Sequence, residues 1–166
     1  MVAVQGKVQR EPQREWVLLT YRFPREPSTP RIAHWRALKR LGAAQVRDGV
    51  AALPLDSRTR EHLEWLADAV LEAGGMAQVW IARLASVGDE RRLVDQMRGE
   101  AAREFRNFIA AVSAAVQQRG SDQRRSVSAL RRELRQIMSR DYFRVAERAE
   151  AERIFRALLG RVEAVA

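Results

Sequence analysis

The hydrophobic period of this chain changes once, at Ser86 to Gly88, and that single change limits the folds open to it. Before it, short apolar runs of strand character alternate with helical stripes. After it, every apolar pattern keeps helical spacing. The chain is therefore expected to be an α+β unit followed by helices. Its 166 residues can bury a core without disulfides or a structural metal. The lack of cysteine excludes thiol nucleophiles, zinc ribbons and iron–sulfur ligation.

The first 14 residues are polar and carry Pro12, which reads as a mobile arm. Trp16 to Phe23 is aromatic and branched and is closed by Pro24, so it is expected to form a central strand. Ser28 or Thr29 then caps a helix with Pro30 in its first turn. Ile32, Trp35, Leu38 and Leu41 make its inner stripe and Gly42 its left-handed stop. Ala43 to Arg47 and Val50 to Leu53 read as strands divided by Asp48-Gly49. Asp56 or Ser57 caps a second helix with Leu63, Leu66, Val70 and Leu71 inside and Gly74-Gly75 at its end, before a strand over Ala77 to Leu84. Strand, helix, strand, strand, helix, strand is the split order of a ferredoxin-like sandwich, here assigned to residues 15–87.

Residues 88–166 are expected to be helical. Asp89 caps a helix reaching Gly120, about 46 Å long at 1.5 Å per residue. A loop over Gly120 to Arg125 follows, then stripes at Val127, Leu130, Leu134 and Ile137 and at Ile154, Phe155, Leu158, Leu159 and Val162. A bundle or helical hairpin hides these stripes, unless they face outward to make a dimer.

Thirty Lys and Arg against twenty-one Asp and Glu leave a formal charge of +9, which favours anionic partners. Only Lys7 and Lys39 are lysine, so an arginine-rich composition alone would also produce this excess. Arg22 to Arg47 holds seven cations against Glu26 alone. On the first helix Arg36, Lys39 and Arg40 share a side, where they either clamp a phosphate or tetrahedral oxyanion or are a solvated face. Arg22 lies on the opposite side of its strand from Tyr21 and Phe23 and needs water, a ligand or an acidic partner. Arg124 to Arg144 holds seven cations against two acids, with Arg131, Arg132 and Arg135 the second anion-binding candidates. His34 is expected at the edge of the core and His62 on the surface, neither with metal-ligand spacing. The acidic second helix gives no reason for paired-carboxylate catalysis.

The string YRFPREPSTPRIAHWRALKRLGAAQVRDGVAALP, Tyr21 to Pro54, followed by LEWLADAVLEAGGMAQV, resembles the N-terminal domain of the bacterial ChrB chromate-resistance regulators. LRRELRQIMSRDYF, Leu130 to Phe143, resembles the arginine-rich helix and RD-aromatic turn that closes that domain, so the likeness is expected to run from about Trp16 onward. The resemblance implies control of chromate efflux and resistance genes, and a sandwich shared with the phenylacetate-operon repressors. Family members usually carry a second, C-terminal domain. A chain that stops at Ala166 is expected to lack that half or to rely on another polypeptide for it. The small CRISPR-associated endoribonucleases are similar around the same core. They hold a metal through an aspartate near the end of the first strand, where Thr20, Tyr21 and Arg22 stand here.

The resulting expectation is a non-enzymatic transcriptional regulator that needs no cofactor and binds promoter DNA, chromate or a sulfate-like oxyanion through its arginines. A non-catalytic helical dimerisation protein is the alternative, and a metal-dependent nuclease a distant third. With no apolar run suited to a membrane span or a signal peptide, the expected location is cytoplasmic.

Overall fold

The computed structural model describes residues 14–118 and 120–163. The expected arm therefore lies outside the described residues except for Arg14. That residue is tied down: its backbone N–H donates to Glu90 Oε1 at 3.0 Å.

The elements in chain order are β1 (Trp16–Arg22), α1 (Thr29–Leu41), β2 (Ala44–Arg47), β3 (Val50–Pro54), α2 (Ser57–Glu72), β4 (Met76–Ala82), α3 (Val87–Val116), α4 (Gly120–Arg140) and α5 (Ala146–Glu163). The strands form one antiparallel sheet ordered β2-β3-β1-β4. This is the ferredoxin-like arrangement, followed by helices. β1 is central, with Leu19 opposite both Ala51 and Val79, and it buries Trp16, Val17 and Leu19 completely. Burial of three large apolar side chains from one strand is what a position between two neighbours requires.

α2 packs on β1 and β4 and contributes Leu63 and Ala67 to the sandwich core. Its start is a capping box: Asp56 Oδ1 accepts from the Thr59 N–H at 2.7 Å, and the Asp56 N–H donates to Thr59 Oγ1 at 2.9 Å. The first turns of α3 add Leu93, Val94 and Met97 to the same core. The rest of α3 forms a second core with α4 and α5, built on Phe105, Phe108, Leu134, Ile137, Phe155 and Leu158. One helix thus belongs to both cores, and the helical stripes turn toward each other within one chain.

Several expectations are corrected. The inner side of α1 is His34 and Leu38, whereas Trp35 is 54% exposed and Ile32 faces solvent as well. The cause lies under the helix: Tyr21 and Phe23 present a pair of aromatic rings, and the His34 imidazole fits between them at centroid distances of 4.4 and 5.2 Å. Leu71 of α2 is exposed, and Thr59 and Ala67 take inner places instead. Ser86 rather than Asp89 caps α3, its hydroxyl accepting from the Gly88 and Asp89 N–H groups. α4 already begins at Gly120, so the expected loop over Gly120 to Arg125 is helix.

Candidate polyanion-binding surface

What positions the basic helices is the turn after α4, Asp141 to Val145. Arg140 Nε donates to Glu104 Oε2 of α3 at 2.6 Å, and Tyr142 Oη donates to the Leu41 carbonyl at the end of α1 at 2.7 Å. Arg58 of α2 reaches the Ser139 carbonyl at 3.1 Å. Phe143 lies 6.5 Å from the Trp16 ring and beneath the guanidinium groups of Arg14 and Arg98, at 5.0 and 5.5 Å. Buried Asp141 starts α5, its Oδ1 accepting from the Val145 N–H at 3.2 Å while Oδ2 lies 3.7 Å from Arg148. Burial raises the Tyr142 phenol to about 12, so it remains a donor throughout the physiological range. The turn thus holds the bundle against the sandwich, with α1 and α4 in contact near their C-terminal ends.

On this frame Arg36, Lys39 and Arg40 stand exposed on α1, and Arg131, Arg132 and Arg135 exposed on α4. Arg131 and Arg135 are i, i+4 neighbours on one side of their helix, away from the buried Leu130 and Leu134. Lys39 also lines a cleft of about 90 Å3 between α1, α3 and α4, together with Arg103, Arg140, Glu100 and Glu104. Arg22 is not brought into this group. It is the last, exposed residue of β1, roughly 20 Å along the strand from the Trp16 end where Phe143 docks. There it lines a separate cavity of about 530 Å3 with Thr20, Gly49, Met76 and Gln78.

The ion pairs among the described residues divide the arginines into two sets. Nine of them (Arg14, Arg60, Arg83, Arg92, Arg106, Arg125, Arg140, Arg148 and Arg153) lie within 4 Å of a carboxylate. None of the seven candidate cations is among them. An unpaired exposed guanidinium keeps its full field and all five donors for an incoming anion.

The reading from sequence missed Arg103, which shares the cleft with Lys39 and Arg140. It sits inside α3, where attention to the apolar stripe hid the polar positions between. His34 is buried rather than at the core edge, its two ring nitrogens have no hydrogen-bond partner, and burial lowers its pKa to about 4. At neutral pH the imidazole is therefore uncharged and fills the slot between Tyr21 and Phe23 as an aromatic ring. His62 is partly buried against Trp65, at a ring distance of 6.0 Å.

The family described as Protein ChrB, N-terminal, matches residues 31–118, more than half of the chain. The chain belongs to the ChrB N-terminal family. Protein ChrB of Cupriavidus metallidurans is 31% identical to it over 105 residues, covering 63% of this chain and 32% of that protein. The chain thus spans about a third of the length of this curated ChrB relative. No solved structure matches it. The ChrB match takes in most of α1, including Arg36, Lys39 and Arg40, and ends before α4 with Arg131, Arg132 and Arg135. Arg22 precedes it.

Proposed function

We propose that this chain is a non-catalytic regulatory module of the chromate-resistance type that binds DNA through the exposed cations of α1 and α4. The observation that carries the reading is that six exposed cations on two touching helices have no carboxylate within 4 Å among the described residues, and so keep their charge for a partner. Exposed charge spread along two helices suits an extended polyanion. Each phosphate can be met by one guanidinium, and released counterions drive the association. A small oxyanion needs converging donors in a site that excludes water, which such a surface does not supply. Family membership supports a regulatory rather than a catalytic role.

A second reading, direct binding of chromate or a sulfate-like dianion, is favoured by one observation, the cavity beside Arg22. Arg22 is the only cation among its lining residues, so a dianion there would be half neutralised. This leaves the DNA reading ahead.

The test is the affinity of the purified protein for duplex DNA from upstream of its own coding sequence. Replacing Arg36, Lys39 and Arg40 together by Glu is expected to weaken binding about 100-fold or more, with an unchanged melting temperature. Arg60→Glu, at a position already paired with Glu64, serves as the control and should change affinity by less than about twofold. Equal binding by the triple variant and the wild type would reject the surface. Saturable chromate binding abolished by Arg22→Gln, without DNA binding, would favour the second reading.

A further inference from the structure

We infer that β4 is the two-fold interface of a homodimer, pairing edge to edge with β4 of a second copy. The two edges of the sheet are built differently. β2 is four residues long, carries Arg47 beside Asp48, and is bulged between Gln45 and Arg47. Those are the ways an edge is kept from pairing. β4 has none of them. It runs seven residues, MAQVWIA, in unbroken register with β1, without proline or bulge, and no strand of the described residues lies on its other side.

Charge indicates what covers it. In a chain that is 31% charged, seven residues would carry about two charges, and β4 carries none. The first charge beyond it, Arg83, is paired with Glu15 at 3.1 Å. A two-fold axis sets residues near it against their own copies, so a charge there would meet itself. An uncharged strand is the sequence such an axis requires, whereas a hetero-partner is selected by opposite charge. Antiparallel self-pairing also satisfies the outward N–H and C=O groups of both copies.

The edge also presents apolar side chains. Met76, Trp80 and Ile81 are 63%, 51% and 54% exposed, and Leu71 of α2 lines the same cavity as Met76 and Ala77. These side chains supply about 300 Å2 per copy, and with the strand backbone and flanking residues two copies bury ~1,000 Å2, the size of a weak, concentration-dependent dimer interface. The Trp80 indole is already fixed, its Nε1 donating to Thr20 Oγ1 at 3.1 Å while that hydroxyl donates to the Gln78 carbonyl at 3.3 Å. The Trp80 side chain therefore has little rotamer entropy left to lose on pairing.

The inference goes beyond the DNA reading and does not depend on it, because it is tested without DNA. Sedimentation of the full chain at micromolar concentration is expected to give a dimer, and the double variant Met76→Lys/Ile81→Lys a monomer with an unchanged circular dichroism spectrum and melting temperature. Since the chain has no cysteine, single substitutions report without background. One of Gln78→Cys, Val79→Cys and Trp80→Cys should form an intermolecular disulfide on mild oxidation, and Gln45→Cys on β2 should not. A monomeric wild type, a charge variant that stays dimeric, or cross-linking only through β2 would each overturn the proposal.

Discussion

His34 shows how one side chain can sit in a core for its shape while its chemistry works against stability. Between Tyr21 and Phe23 it fills an aromatic slot, with both nitrogens unpartnered and its pKa lowered by desolvation to about 4. Below about pH 6.5 the unfolded chain takes up a proton at this ring that the folded chain refuses. Stability at this residue is therefore complete at neutral pH and drains away as pH falls from about 6.5 to about 4, by at most about 3 kcal/mol less whatever solvent screening reaches the ring. His34→Leu is expected to keep neutral-pH stability within about 1 kcal/mol, since it removes two unsatisfied polar atoms. Denaturant midpoints at pH 7 and pH 4.5 check this: the variant should lose less than the wild type between the two, and equal losses would contradict the account.

At the scale of elements, the same residue type carries opposite costs depending on where a helix places it. Gly42 ends α1 at φ 68°, and a Cβ there would lie 2.7 Å from Arg140 Cβ, so backbone conformation and the α1–α4 contact both require glycine. Gly99 in α3 and Gly160 in α5 sit in helical backbone, and a Cβ at either would meet nothing within 4 Å. Thermal melts should show Gly42→Ala destabilised by about 2 kcal/mol, and Gly99→Ala and Gly160→Ala each stabilised by about 0.5 to 1 kcal/mol. A neutral Gly42→Ala would mean that the two helices do not approach as described. Gly42 was legible in the sequence, as were the order of the elements and the Asp48-Gly49 divide, because turn chemistry and periodicity are local. The phase of α1 was not. Ile32, Trp35, Leu38 and Leu41 form a credible stripe by hydropathy, but the inner face is the one whose His34 ring packs against the aromatic pair at the end of β1.

At the scale of the whole molecule, the Asp141 to Val145 turn joins sandwich and bundle, and so decides which basic residues can act together. The sequence showed two arginine-rich segments. That α1 and α4 meet through Gly42, Arg140 and Tyr142, and that Arg22 stands at the other end of the sheet, follows from tertiary packing alone. If the six cations of α1 and α4 each contact a phosphate, the logarithm of DNA affinity should fall with the logarithm of salt concentration with a slope of about −5. That slope, measured for the wild-type protein across a salt titration, is the most direct measurement of the central claim. A steep decline that becomes shallower by about three when Arg36, Lys39 and Arg40 are reversed is the result expected, and an affinity indifferent to salt would contradict it.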